Sequence, residues 1–224
     1  MRLAFMQRMP YDPRRDFTPV IHLTGYLFGM VVRADSPFRT WADLVAAARA
    51  RPNTVTVGNS GANGTPHLAV VELAERERIE VVHVPYRGEA DQVPALLGGH
   101  IQASTAGSGA GQLVDEGKLR WLNHWTAERT RRWPEVPTLL DLGYAGMVIT
   151  SPYGLVAPAG LEAGVLRTLH DGLKAAVFDP QHQAALERYD MRTEYLNSAD
   201  YARFMAETID AEERRVDKLG LRGT

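Results

Sequence analysis

From residue 27 to residue 125 the chain alternates between short apolar runs of strand length and longer segments with apolar residues at helical spacing. That rhythm constrains the fold most, because parallel strands joined by covering helices bury both kinds of segment. Leu27 to Val32 reads as a buried strand. Thr40-Trp41-Ala42-Asp43 has the form of a capping box, and Trp41, Leu44, Val45 and Ala48 follow at helical spacing until Pro52 stops the helix. Strand 54–57, a glycine-rich loop and a helix from about Pro66 to Arg78 come next. Glu80 to Val84 is a strand that leads into Pro85-Tyr86-Arg87-Gly88. A short helix ends at Gly98-Gly99, strand 101–104 opens a second small-residue loop at Thr105 to Gly109, and Leu119 to Trp125 closes the series. The expected class is α/β, with mostly parallel sheets covered by helices.

The tail reads differently. An extended stretch, Tyr153 to Pro158, precedes helices at about 161–178, 180–189 and 199–218, with a short strand near Met191 to Tyr195. Ser198 is expected to cap the last helix. No internal repeat and no low-complexity segment interrupts the chain.

Composition removes several functions. With 224 residues, a formal net charge of −2 and 23% charged residues, the chain offers no basic surface for nucleic acid or an anionic membrane. Cysteine is absent, which removes disulfides, thiol catalysis and cysteine-ligated zinc. The seven histidines show no H-x-x-x-H or H-E-x-x-H spacing, so neither a metal nor another cofactor is expected. No apolar run reaches the roughly 18–20 residues needed to span a bilayer. Residues 1–8 carry charge but neither the apolar region nor the cleavage site of a signal peptide.

The chemistry concentrates in Gly58-Asn59-Ser60-Gly61-Ala62-Asn63-Gly64-Thr65-Pro66. A phosphate-binding P-loop requires a lysine after its last glycine, and the dinucleotide fingerprint requires G-x-G-x-x-G; both fail on spacing. Gly58 to Ala62 approximates the G-x-S-x-G nucleophile elbow, which would make Ser60 the nucleophile of a hydrolase. No histidine or acid stands in a matching context, and Thr65-Pro66 starts the helix five residues after the serine rather than directly behind it. An anion site fits better. Thr65 is placed to cap, and Pro66 in the first turn lacks an amide that would be unpaired anyway. The remaining first-turn amides carry the positive end of the helix dipole. Gly61 and Gly64 let the backbone approach a ligand closely, while Asn63 and Thr65 add side-chain donors, an arrangement that suits a carboxylate. A capped turn with no ligand is the plain alternative.

An ordered set of motifs carries a family resemblance: Pro10 to Val20, the glycine loop with His67-Leu68-Ala69, Val82-His83-Val84-Pro85-Tyr86-Arg87-Gly88, Leu96 to Gly99, Gly117 to Arg120, Pro134 to Thr138, and Tyr153 to Gly160. Over nearly the whole chain their order and spacing resemble the substrate-binding receptors of tripartite tricarboxylate transporters, the Bug-type periplasmic proteins. The resemblance implies a type II periplasmic-binding-protein-like fold with two α/β lobes that close, in Venus-flytrap fashion, on a small organic carboxylate. Residues 30–151 would form a complete lobe carrying the carboxylate loop, and 1–29 with 152–224 the rest of the other. The ligand loop maps onto Gly61, Ala62, Asn63, Gly64 and Thr65.

Two departures from the family pattern stand out. The family's signal peptide and its P-P-G-G-G-T-D type loop have no counterpart here, so the first lobe is expected to be incomplete. Apolar tail positions such as Leu166, Leu169, Leu173 and Val177 would then be bare, and a homodimer or exchanged element is expected to cover them. After strand 101–104, where many relatives carry an aromatic residue and an aspartate, this chain has Ser104-Thr105-Ala106-Gly107-Ser108, implying a roomier, neutral-polar wall to which Ser104 and Thr105 would contribute ligand contacts.

Other positions divide between ligand and structural roles. Tyr86 and Arg87 follow a strand end, where parallel sheets place their sites; Arg87 is either the partner of a second ligand carboxylate or a solvated arginine. Tyr153 either lines the site or packs. His67 is expected to be a structural hydrogen-bonder, and Trp121, Trp125 and Trp133 core anchors. The function expected is therefore a non-enzymatic, periplasmic solute receptor that delivers a carboxylate to membrane transporter subunits. A cytoplasmic effector-binding module of the same fold is the alternative, with a Ser60 hydrolase behind it.

Overall fold

A computed structural model describes residues 2–223. The chain divides into two units, one made of Met1–Gly25, Pro152–Leu186 and Arg192–Thr224, the other of Tyr26–Ser151 with Glu187–Met191. The division falls between Gly25 and Tyr26 rather than near residue 30. Strand β2 (Phe28–Arg33) belongs wholly to the second unit's sheet, pairing on both sides there, so the chain cannot change units inside it.

The second unit is built on five strands in the order β4-β3-β5-β2-β6. These are β2, β3 (Thr56–Ser60), β4 (Val82–Tyr86), β5 (Ala103–Gly107) and β6 (Leu119–His124). β3 pairs in parallel with β4 and with β5, whereas β2 runs antiparallel to both β5 and β6. Four strands therefore share one direction and β2 opposes them. Helices α2 (Trp41–Ala50), α3 (Thr65–Glu77), α4 (Glu89–Leu97) and α5 (Gly111–Asp115) are the connections.

The core explains why the strands lack a period-two pattern. Met30, Val31 and Val32 are all fully buried, because both faces of β2 are covered. Met30 and Val32 join Leu44, Val45, Val57, Leu73, Leu122 and Trp125 in one cluster. Val31 joins Leu96, Ile101, Trp121 and Trp133 in the other. All three expected tryptophan anchors are buried.

At the start of α2 the capping box forms as the sequence predicts. The Thr40 hydroxyl accepts from the Asp43 N–H at 3.2 Å, and the Asp43 carboxylate accepts from the N–H groups of Thr40 and Arg39 at 2.8 and 2.9 Å. Those bonds hold the Asp43 carboxyl below its ordinary range. Thr40→Ala is expected to lower stability by about 1 kcal/mol, read as a shift in the urea midpoint at unchanged slope.

The first unit holds a wholly antiparallel sheet in the order β7-β1-β8, which corrects the expectation of mostly parallel sheets for this half of the chain. Its strands are β1 (Phe17–Gly25), β7 (Pro152–Pro158) and β8 (Thr193–Leu196). Around it lie α1 (Leu3–Met6), α6 (Ala163–Val177), α7 (Pro180–Arg188, whose last two residues belong to the other unit) and α8 (Ser198–Lys218). Leu166, Leu173 and Val177 pack against Val20, Ile21 and Leu23 of β1, so three of the four expected bare positions are covered within the unit; Leu169 is exposed. The cap of α8 also moves by one residue. Asn197 accepts from the Asp200 N–H at 3.0 Å, while the Ser198 hydroxyl donates to the Pro19 carbonyl at 2.7 Å.

Candidate functional site

In the five-stranded sheet, β3 connects onward to β4 on one side, and β5 to β6 on the other. The connections thus diverge between β3 and β5, and open sheets of this kind meet ligands at the carboxyl ends of strands where connections diverge. Three turns stand there: residues 61–64 after β3, 87–88 after β4 and 108–110 after β5.

The first of these turns is fixed by its own backbone. The Gly61 N–H donates to the Tyr86 carbonyl at 2.8 Å, tying the β3 turn to the end of β4. Gly61 at φ 76° and Asn63 at φ 59° both take left-handed conformations, the former free of strain only because it lacks a Cβ. The Gly64 N–H returns to the Gly61 carbonyl at 3.4 Å. The Asn63 N–H donates to His67 Nδ1 at 3.2 Å, which places that ring's proton on Nε2. His67 is therefore the structural hydrogen-bonder expected of it. Its ring meets His83 edge-on with centroids 4.6 Å apart. Burial lowers the pKa of both imidazoles, and for His83 the neighbouring His67 lowers it further. Both thus stay neutral near pH 7, as the bond from Asn63 requires.

Helix α3 starts one residue earlier than the sequence suggests. Gly64 is its extended N-cap, with φ −69° and ψ 167°, and no side chain caps it. Thr65 is the first helical residue rather than the cap. The N–H groups of Ala62, Thr65 and His67 meet no protein acceptor among the described residues. Those of Gly61, Asn63 and Gly64 are consumed in shaping the turn. The turn thus offers an anion three donors rather than a full row, on a backbone held from both ends.

Ser104 and Thr105 do not form a wall here. Both are fully buried in β5. Thr105 Oγ1 donates to the Gly58 carbonyl at 3.3 Å, Ser104 Oγ to the Thr105 carbonyl at 3.3 Å, and the amide of Gln92 donates to both residues. Gln92, itself fully buried, also donates to the Gly58 carbonyl at 3.1 Å and accepts from the Ser60 hydroxyl at 2.9 Å. Ser60 thus faces an amide oxygen instead of the base a nucleophile needs. The sequence reading passed over Gln92, although a lone polar residue one turn before the buried Leu96 on α4 is the available signal.

Tyr86 is half-buried at the end of β4 and packs on the second core cluster, and its carbonyl accepts from the Gly61 N–H of the turn. Arg87 beside it is exposed and makes no ion pair among the described residues. Tyr153 lies on β7 of the first unit and is half-exposed. Two hollows of about 510 and 690 Å³ also mark the second unit. His83 and Arg78 line the smaller, Arg39 and Arg120 the larger, and neither includes a residue of the 61–65 turn.

An α/β unit with a shaped amide turn at the divergence of its connections has the form of a small-ligand site. The model of the tripartite tricarboxylate transporter family receptor matches residues 1–221, and the chain belongs to that family. It is 41% identical over 220 residues to the UPF0065 protein in the gbd 5′ region of Cupriavidus necator, covering 98% of this chain and 67% of that protein. Among solved structures, one described as a periplasmic transporter superposes with a TM-score of 0.88 at 26% identity, covering 99% of this chain and 74% of the other. R. palustris Rpa4515 with adipate gives 0.85 at 25% identity, over 97% and 73%. The chain therefore spans about two thirds to three quarters of the length of these relatives.

Proposed function

We propose that this chain is a non-enzymatic periplasmic receptor that captures a small organic carboxylate and presents it to the membrane subunits of a tripartite transporter. The observation that carries the reading is the 61–65 turn, with donors of Ala62, Thr65 and His67 unused at the carboxyl end of β3. Positive helix-end potential and unsatisfied amides favour an anion without a charged side chain. Family membership and the adipate bound by Rpa4515 point to the same ligand chemistry. In this assignment Gly61 to Thr65 hold one carboxylate and Arg87 reaches a second acidic group.

Thermal shift across mono-, di- and tricarboxylates tests the reading; stabilisation by none of them would end it. Gly64→Ala sharpens the test, because a Cβ at that position would lie 2.7 Å from the Ser60 carbonyl oxygen and the turn must move. Carboxylate affinity is expected to drop about tenfold or more, about 1.4 kcal/mol. Gly88→Ala is the control: its Cβ meets nothing within 4 Å, and its φ of 178° suits any residue.

A further inference from the structure

Glu89 opens α4, directly behind the β4 turn, and its carboxylate reaches across to the turn after β5. There it accepts from the Gly107 N–H at 3.0 Å. Gly109 closes in beside it, since a Cβ built there would stand 3.1 Å from Oε2. The Tyr26 ring seals the other side so tightly that a Cβ on Gly107 would be 2.0 Å from it. No cationic side chain balances Glu89 among the described residues; its burial raises the pKa, and the hydrogen bond from Gly107 works against that rise. A half-buried carboxylate held by a backbone amide, with no cation, is chemically what a bound ligand acid would be.

We propose that Glu89 is a specificity-determining residue: an internal carboxylate that takes the Gly107 donor at the end of β5 and bars a ligand's second carboxylate from it. The inference rests on the receptor reading above and deepens it. The β3 turn, joined to β4 through the Gly61–Tyr86 bond, keeps its own free donors, so the backbone amides of this unit offer one carboxylate position where the ends of β3 and β5 would otherwise offer two. A short dicarboxylate able to bridge both strand ends meets the Glu89 charge instead of an open amide. A monocarboxylate seated on the β3 turn does not.

The test compares succinate with butyrate, equal in carbon count and different by one carboxylate, by titration calorimetry on wild type, Glu89→Ala and Glu89→Gln. Removing the internal acid in Glu89→Ala is expected to tighten succinate about tenfold while butyrate moves less than about threefold. Glu89→Gln, which keeps the bulk and one acceptor oxygen, stays near the wild-type preference. Equal changes for both acids, or none, overturn the proposal, since a merely structural glutamate would affect them alike. If no form binds either acid, formate decides about Glu89 separately. Glu89→Ala should melt below wild type and regain stability in formate relative to chloride at equal ionic strength, with no such gain in wild type. Absence of that recovery overturns the internal-acid assignment. Should Glu89→Ala not fold, Glu89→Ser vacates the same donor and carries the same measurements.

Discussion

Gln92→Leu is expected to lower the unfolding free energy by about 3 kcal/mol. Leucine keeps most of the volume, so the cavity contribution is small and the loss reports the polar network. The Gln92 amide joins the Gly58 carbonyl of β3, both buried hydroxyl residues of β5 and the Ser60 hydroxyl. Without it, acceptors in a site closed to water lose their donor, at about 1–3 kcal/mol for each group left unsatisfied. The Thr105 to Gly58 and Ser104 to Thr105 bonds survive and limit the damage. Chemical denaturation should show a lower midpoint at an unchanged slope. Because Ser60 precedes Gly61, carboxylate affinity should weaken as well. A loss below about 1 kcal/mol would mean that the amide does not tie β3 to β5.

The second large effect is acid sensitivity from one histidine. His124 ends β6, fully buried, with its ring against those of Trp121 and Trp133 at centroid distances of 4.8 and 5.7 Å. Neither ring nitrogen has a partner among the described residues, and burial pushes its pKa down to about 4 from an ordinary 6.5. In the folded state the imidazole therefore stays neutral while the unfolded chain takes up a proton as pH falls below 6.5. Stability is full above that pH and lost as pH drops toward 4, by about 1.4 kcal/mol per unit and about 3 kcal/mol in all. His67 and His83, also shifted down by burial, add loss in the same direction, so the wild-type profile alone does not isolate His124. His124→Phe does. Its stability between pH 6.5 and 4 should fall about 3 kcal/mol less than wild type, and at pH 7 the variant should be as stable or more so, since an unpartnered polar ring is replaced by an apolar one. Parallel profiles for the two proteins would contradict the assignment.

The candidate site was only partly legible before the fold was known. The Gly58–Pro66 segment stood out because glycines, a proline and an asparagine between a strand and a helix leave few conformations, and both left-handed positions fall on residues that tolerate them. Which amides remain free was not legible. That depends on Tyr86 and His67, which approach the turn from other elements. Ser104 and Thr105 misled for a related reason. Hydroxyls look available in a sequence, yet these lie inside a sheet where Gln92 from α4 consumes them. Strand β1 was passed over because Pro19 breaks its hydrogen-bonding run and β8 pairs only at His22 and Thr24, so neither composition nor period marks it.

By itself the sequence determined the α/β rhythm, the capped start of α2, the glycine turn before α3 and the family to which the chain belongs. These depend on neighbours within a few residues, on side-chain periodicity, or on motif order along the chain. Only the tertiary structure decided that β2 opposes its four companions, that α6 covers β1 with three of its apolar residues, and that the Glu89 carboxylate accepts from the Gly107 N–H at the end of β5. Each of those outcomes joins groups distant in sequence or strands paired through other strands, and a buried donor takes whichever acceptor the packing brings to it.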